Sequence, residues 1–348
     1  VLTKEFHYEL PPELIAQEPV TPRDHSRLFI VNAKRKTQNI KYEHLHFYDI
    51  ENELSHGDVL VFNDSKVFPA RLRGQKETGG RIEVLLLEEQ APDTWTALLK
   101  PGKGSEGMTI AFAESLTAKV SGRDEEVFTL QFNHSGNELA KLIDDIGEAP
   151  TPPYIKQAPK DLQKYQTIYA DKRGSVAAPT AGFHFTEGLM KKLEAKGVQF
   201  EYVTLHVGLG TFQPVKETEA EKHQMHSERY SVDPDTWQRI SRAKGEGRRI
   251  IPVGTTSCRL LETLAANPDT LSGMTDLYIL PGYKFRFIDS LITNFHLPNS
   301  TLLMLVAAFL GTKLKDPEQG IKLIKKIYTE AVAKKYSFYS FGDAMFIE

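Results

Sequence analysis

The 348-residue chain holds a single cysteine, Cys258, and that scarcity excludes a good deal. No intramolecular disulfide can form and no cysteine-based zinc site can be assembled, a composition that suits a reducing cytoplasm. Long apolar runs are missing too. The longest, Leu302 to Leu310, falls far short of the roughly 20 residues that span a bilayer. The opening stretch carries Glu5, Glu9, Glu13 and Glu18 and has no apolar core, so it is not a secretory signal. The chain opens on Val1, ahead of which an initiator Met and a few residues are expected. Neither charge dominates: a formal net charge of −3 excludes a polycation that grips nucleic acid over its whole surface, while leaving room for a local basic patch. Internal repeats and low-complexity segments are absent. What remains is ordinary globular chemistry, 40% hydrophobic and 26% charged, in a chain long enough for two domains and a large core.

Three textures follow one another. Asp58-Val59-Leu60-Val61-Phe62 reads as a buried strand that stops at Asn63-Asp64-Ser65. From about 65 to 150, short strands at Arg81–Leu87, Trp95–Leu99, Met108–Phe112, Leu116–Ser121 and Val127–Phe132 are separated by glycine or proline turns, and the first long amphipathic helix arrives at about Asn137–Ile146. Such spacing predicts a small antiparallel β-barrel. Proline-rich Ala149–Pro153 reads as a linker. Beyond it strand and helix alternate. Thr186 caps a helix that carries Leu189 and Leu193 and stops at Gly197. Strands are expected at Phe200–Val207, Arg249–Val253, Leu277–Leu280 and Leu291–Thr293, and helices at Cys258–Ala266 and Thr301–Leu310. Ile321, Ile324, Tyr328 and Ala331 mark one face of a last helix. The pattern predicts an α/β fold: a largely parallel sheet flanked by helices, with a small antiparallel β-barrel inserted. Residues 1–64 and 151–348 would form a discontinuous catalytic domain and 65–150 the barrel.

In parallel α/β sheets, ligands bind beyond the carboxyl ends of the strands, where helix N-termini present free N–H groups and partial positive charge. Four segments fit such an edge: AAPTAGFHFT (177–186), HVGLGTF (206–212), GTTSCR (254–259) and NFHLPNST (294–301). Singly, each reads as a capped turn or a structural histidine. Jointly, with His184, His206 and His296 spread over three of them, they point to a site. Gly208-Leu209-Gly210 hints at a nucleotide-binding turn, but Phe212-Gln213-Pro214 stands where a helix must open. His223 and His226 have the spacing of one helix face; HxxH alone is a weak signal and HExxH is absent, so no metal site is expected. Lys66, Arg71 and Arg73 stand at the expected domain junction, as phosphate contacts or as a solvated strand face. The same two readings apply to Lys322, Lys325, Lys326, Lys334 and Lys335.

Phe6-His7-Tyr8-Glu9-Leu10-Pro11, Leu14-Ile15-Ala16-Gln17 and Arg23-Asp24 open a longer series of segments. It continues through FNDSKVFPARL, PPYI (152–155), YQTIYA (165–170), VAAPTAGFHFT, VTLHVGLGTFQPV, His223-Gln224-Met225-His226-Ser227-Glu228, VGTTSCRLLE and ITNFHLPNSTLLMLV, and closes at Phe341-Gly342-Asp343-Ala344-Met345-Phe346. Spanning nearly the whole chain, the series resembles the S-adenosylmethionine:tRNA ribosyltransferase-isomerase family of queuosine biosynthesis (the QueA family). The family commonly reads NNTR or NDTR where this chain has Asn63-Asp64-Ser65-Lys66; a lysine there meets phosphate as a point charge where arginine would be bidentate.

The resemblance implies an unusual reaction. The ribosyl part of S-adenosylmethionine, not its methyl group, is joined to the 7-aminomethyl group of preQ1, a 7-deazaguanine at the tRNA wobble position. It isomerises to an epoxycyclopentanediol, giving epoxyqueuosine-tRNA and releasing adenine and methionine. S-adenosylmethionine is then a consumed substrate, and neither cofactor nor metal is implied. The chemistry needs a base at the acidified 5′ carbon, an acid for the departing adenine, an uncharged amine and exclusion of water. His184, His206 and His296 are expected to include the base and acid. Gly182, Thr255, Thr256 and Ser257 are expected to hold the methionine carboxylate or ribose, with Asn294 and Ser300 as further contacts. Lys66, Arg71 and Arg259 are expected to face tRNA phosphate or substrate anion. A bacterial, cytoplasmic monomer that acts on tRNA away from membranes is implied as well. On the residues alone, two other readings stand beside this one: an RNA methyltransferase, for which Gly208-Leu209-Gly210 speaks, and an RNA-binding module that uses the barrel.

Overall fold

The computed structural model of the chain describes all residues except 34–39, 103, 114, 158, 160 and 209–214. Its contacts form two units: Val1–Ser65 with Thr167–Lys172 and Pro179–Glu348, and Lys66–Gln166 with Arg173–Ala178. The larger begins with β1 (Arg27–Asn32), β2 (Lys41–His46), the single turn α1 (Ile50–Glu53) and β3 (Val59–Asn63). Every residue of β3 is buried, as its unbroken apolar run requires of a strand covered on both faces.

The smaller unit is the barrel. After β4 (Ser65–Val67) come β5 (Arg71–Lys76), β6 (Arg81–Ala91), β7 (Thr94–Lys100), β8 (Thr109–Ala111), β9 (Thr117–Asp124) and β10 (Val127–Phe132). These six, β5 to β10, close in the order β10-β7-β6-β5-β8-β9, and every printed pairing between them is antiparallel. Trp95, Ala97 and Leu99 alternate inward along β7. α2 (Gly136–Ile146) buries Leu139 and Ile143, and β11 (Lys172–Ser175) pairs with β4. The prolines near 150 do not form a loose linker. Ala149, Pro150, Thr151 and Pro152 are buried, and the Arg71 guanidinium donates to the Thr151 carbonyl at 3.0 Å, so the unit runs on to Gln166.

The rest of the larger unit comprises α3 (Glu187–Ala195), β12 (Gln199–Leu205), β13 (Glu228–Ser231), α4 (Pro234–Gly245), β14 (Ile250–Pro252), α5 (Thr255–Ala266), β15 (Ser272–Thr275), β16 (Leu291–Asn294), α6 (Thr301–Leu314), α7 (Pro317–Ala333) and β17 (Ala344–Ile347). Thr186 caps α3 as the sequence signals, accepting from Leu189 N, and Ser300 caps α6, accepting from Leu303 N. α6 is buried over most of its circumference and crosses α7 closely. A β-carbon on Gly320 would lie 2.4 Å from the Ala307 carbonyl oxygen.

The sheets are mixed. β14, β3 and β12 are parallel neighbours, extended antiparallel by β13 and β15. The second sheet runs β16-β17-β1-β2, with β1 and β17 parallel and its outer pairs antiparallel. A parallel bridge from Val253 to Ile292 ties β14 to β16. The register sets Val59 of β3 beside both Gln199 of β12 and Ile250 of β14. The carboxyl ends of β3, β12, β14 and β16 therefore emerge along one edge. Beneath them lies a core that includes Phe62, Phe185, Leu189, Leu193, Ile251 and Ile292.

Two local expectations are corrected. Residues 277–280 form no strand: the Leu277 N–H donates to Thr275 Oγ1 and its carbonyl accepts from Arg259, so side chains occupy the groups a ladder would need. His223–His226 is not helical, because His223 is already extended at the end of a short 3-10 turn. The HxxH spacing therefore sets no shared face, and His223 Nδ1 meets Glu217 at 3.1 Å.

Candidate active site

Asn63, at the carboxyl end of β3, ties the edge together. Its Oδ1 accepts from the backbone N–H groups of Ser65 and Leu205. Its Nδ2 donates to the Leu205 carbonyl at 2.9 Å and to Thr256 Oγ1 at 3.4 Å. One buried amide thus joins the ends of β3 and β12 to the first turn of α5. That turn is entered through Gly254, whose φ of +93° disfavours a side chain. A β-carbon on Gly254 would lie 3.6 Å from Ala181 Cβ, so α5 starts against the 3-10 turn Thr180–His184.

His184 is the most fully wired of the three histidines. Thr180 Oγ1 donates to Asn294 Oδ1 at 2.9 Å, which leaves Asn294 Nδ2 as donor to His184 Nε2 at 3.0 Å. With Nε2 accepting, Nδ1 carries the proton and donates to Ser26 Oγ at 2.7 Å. Ser26 can then turn its own hydroxyl proton away from the ring. The imidazole is buried against Phe47, and burial, with the nearby Arg23 charge, pushes its pKa down to about 3. At neutral pH it is a fixed, uncharged hydrogen-bonding link. Ser26, Phe183 and His184 line a small cleft together with Arg23 and Phe341.

The other two histidines are less committed. His296 is buried with Nε2 3.2 Å from Thr293 Oγ1, while Tyr328 and Tyr8 hold its backbone N–H and carbonyl. Burial lowers its pKa to about 3. His206 is half-buried, and burial followed by the Arg229 charge lowers its pKa to about 4. Nδ1 of each is buried without a hydrogen-bond partner among the described residues. Such an atom costs about 1–3 kcal/mol, so its retention needs a reason, and catalysis is one.

The remaining expected contacts divide. Thr255 and Thr256 lie in the first turn of α5, whereas the Ser257 hydroxyl donates to the Val253 carbonyl. Ser300 is occupied as the α6 cap. Arg259 is buried and paired with the equally buried Glu228, and its Nη2 has no hydrogen-bond partner among the described residues. Lys66 and Arg71 belong to the barrel unit, Lys66 exposed and Arg71 directed at Thr151 and Glu83. In the Gly208-Leu209-Gly210 turn, Gly208 donates to Glu228 at 3.0 Å, and Leu209, Gly210 and the rest of that segment lie outside the described residues. Among the described residues, no group of three or more His, Cys, Asp or Glu could hold a metal. No helix among them is long and apolar enough to cross a membrane.

The sequence model of the family described as "Queuosine biosynthesis protein" matches residues 3–347. The chain belongs to this family. Curated relatives include S-adenosylmethionine:tRNA ribosyltransferase-isomerases of Thermotoga maritima and Thermotoga petrophila, each 50% identical over 347 residues, with 99% of this chain and 98% of the relative covered. The crystal structure of an S-adenosylmethionine tRNA ribosyltransferase from Thermotoga maritima is similar as well. It is 40% identical, with a TM-score of 0.55 over 99% of this chain and 100% of that one. The chain is therefore an enzyme of the S-adenosylmethionine:tRNA ribosyltransferase-isomerase family.

For this family member, the motif reading missed Asn63, Ser26 and Arg23. Asn63 stood in a quoted segment, but as a strand stop. Ser26 had no local signal, since its partner is 158 residues away.

Two outcomes follow from the geometry. Gly182 lies against Tyr169, and a β-carbon there would fall 1.8 Å from the Tyr169 hydroxyl oxygen and 2.8 Å from Thr167 Cγ2. Gly182→Ala is expected to destabilise by about 1–3 kcal/mol through overpacking, with Tyr169→Phe in the same chain relieving part of the loss. Urea midpoints of the two variants provide the check, and an unshifted midpoint for Gly182→Ala would contradict the close packing.

The second concerns acid. In the unfolded chain the histidines take up protons near pH 6.5, whereas in the fold His184 and His296 resist to about 3 and His206 to about 4. Between those limits the unfolded state binds more protons, so stability is full above about pH 6.5 and declines as the pH falls. Burial raises the carboxyls of Asp64 and Asp343, which act in the opposite sense just above their ordinary range. His184→Gln is expected to remove up to about 1.4 kcal/mol per pH unit from the slope between pH 6 and 4.5, read from urea unfolding at several pH values. An unchanged slope would mean that His184 titrates normally.

Proposed function

We propose that the chain transfers and isomerises the ribosyl moiety of S-adenosylmethionine onto the 7-aminomethyl group of preQ1 at the tRNA wobble position. The products are epoxyqueuosine-tRNA, adenine and methionine, and S-adenosylmethionine is consumed as a substrate without another cofactor. The observation that carries this reading is the wiring of Asn294, His184, Thr180 and Ser26 across segments far apart in the chain. It builds a rigid, uncharged polar wall beside a cleft, on the edge where β3, β12, β14 and β16 end.

The roles divide by environment. A base for the proton beside the sulfonium must be unprotonated at neutral pH, and His206 and His296 both are, each with an unpartnered Nδ1. His206 is the more accessible of the two, which favours it as the base. His184 orients Ser26 toward the bound substrate. Gly182, Thr255 and Thr256 hold the ribose at the start of α5. Lys66 and Arg71 are the tRNA contacts in this scheme, and the enzyme works as a cytoplasmic monomer. The deciding assay is incubation with S-adenosylmethionine and preQ1-containing tRNA. Stoichiometric release of adenine and methionine is expected. S-adenosylhomocysteine would point to methyl transfer, and binding without turnover to an RNA-binding module.

A further inference from the structure

Three exposed aromatic rings sit one residue away from the two buried side chains that back His184. Ser26 bonds the imidazole and Phe47 packs on it at 4.9 Å. His25 precedes Ser26, while His46 and Tyr48 flank Phe47, and all three are exposed, Tyr48 at 38%. The His46 and Tyr48 rings stack with centres 5.2 Å apart and planes 7° apart, and the His25 ring stands at 66° to Tyr48, also at 5.2 Å. The backbone fixes this cluster: Phe47 N donates to the Ser26 carbonyl at 2.8 Å and His46 N to the Asp49 carboxylate at 3.0 Å. A lone exposed ring needs no explanation, but rings ordered against one another at a surface offer what unpaired RNA bases stack on. The charge beside them suits RNA as well. Arg27 stands opposite His46 in the β1–β2 ladder, and its guanidinium donates to the Lys334 carbonyl at 2.8 Å and lies 3.8 Å from the centre of the Tyr336 ring. It thereby anchors the turn that carries Lys334 and Lys335, both exposed. The carboxylates bonded into these segments have internal partners: Asp24 accepts from Thr186, Asp343 from the N–H groups of Arg27 and Ser337, and Glu330 meets His44.

We propose that His25, His46 and Tyr48 form a stacking platform for an unpaired base of the tRNA, with Lys334 and Lys335 meeting the adjoining phosphates. The inference rests on the tRNA reaction proposed above. Consecutive Cα atoms are about 3.8 Å apart, so the platform begins close to the residues that back His184, and a base stacked there belongs to a near neighbour of the nucleotide that reacts. Base and phosphate contacts then divide between the rings and the lysines.

The test compares the wild-type chain with Tyr48→Ala, Tyr48→Phe and a double variant, Lys334→Ala with Lys335→Ala. Filter binding gives Kd for preQ1-containing tRNA at several salt concentrations, and adenine release at saturating tRNA reports on the His184 site. Tyr48→Ala is expected to weaken tRNA binding by about 5–100-fold with its logarithmic salt slope unchanged, because stacking releases no counterions. Tyr48→Phe keeps the ring and the affinity. The lysine variant lowers the slope by up to about two, and an unchanged slope there overturns the phosphate contacts. Anticodon stem-loops that each lack one loop base then identify the partner, since the Tyr48→Ala penalty disappears for one of them. Thermal unfolding confirms that each variant is folded. A folded Tyr48→Ala chain with wild-type tRNA affinity overturns the platform, whether or not its turnover falls, and so does a penalty that survives every base omission. If the wild type turns over while Tyr48→Ala binds normally, the platform fails and the reaction stands. Tyr48-dependent tRNA binding in a wild-type chain that releases no adenine would count against the reaction and not against the platform.

Discussion

Asn294→Ala is expected to lower kcat by about 100-fold or more while leaving the fold intact, the range lost when a positioned proton-handling group is disturbed. The amide does two jobs with two atoms. Its oxygen accepts from Thr180 and its nitrogen donates to His184 Nε2, the second contact fully buried and the first partly so. Truncation leaves a buried imidazole nitrogen without its donor and removes what holds the proton on Nδ1. The ring can then switch tautomer, and the Ser26 hydroxyl loses its orientation. Stability should fall by only about 1–3 kcal/mol, the cost of unsatisfied buried polar atoms. Asn294→Asp separates positioning from simple packing. A carboxylate beside Nε2 favours the imidazolium, so the His184 pKa should rise from about 3 and the acid limb of the pH–rate profile should move upward. Wild-type turnover in both folded variants, with an unmoved pH profile, would remove His184 and Asn294 from the active site.

Arg259→Met is expected to destabilise the chain by about 3–5 kcal/mol, because it strands Glu228 in the interior. Both side chains are only 4% exposed. Glu228 also accepts from Gly208 N at 3.0 Å, and Arg259 Nε donates to the Leu277 carbonyl at 2.9 Å. The pair therefore fixes the start of the segment after His206 and the irregular stretch after β15. Losing one charge costs far more than losing both, so Arg259→Met with Glu228→Gln should recover most of the stability. The neutral amide can still accept from Gly208. Urea unfolding of the two single variants and the double variant gives the coupling directly. An outward-facing arginine that contacts tRNA would behave differently: stability would be unchanged and tRNA binding would weaken at low salt. That result would make Arg259 a tRNA contact.

The elements with strong local signals were readable from the chain. The unbroken run at 58–62, Thr186 ahead of Leu189 and Leu193, and the short barrel strands each carry their own periodicity or cap, and each forms where expected. α4 was overlooked although Asp233-Pro234-Asp235-Thr236 is a legible start, with Asp233 accepting from Thr236 N. The apolar pattern of 277–280 suits a strand, while the N–H and carbonyl of Leu277 are taken by Thr275 and Arg259. Composition at 149–153 suggested a linker, yet packing buries four of those five residues.

The family, the α/β class with its inserted barrel, and the loops that bear the histidines are all properties of ordered residues along the chain. Periodicity, caps and motifs are local, so they survive without coordinates. The division of labour within the edge is not local. Ser26 meets His184 across 158 positions and Asn294 meets it across 110. Such partners depend on how β3, β12, β14 and β16 register against one another and which side chains that register buries. The same packing turned Arg259 inward to Glu228 and laid Arg23 over Phe183. In a buried site a charge acts through its partner and its desolvation, and both are set by the assembled fold.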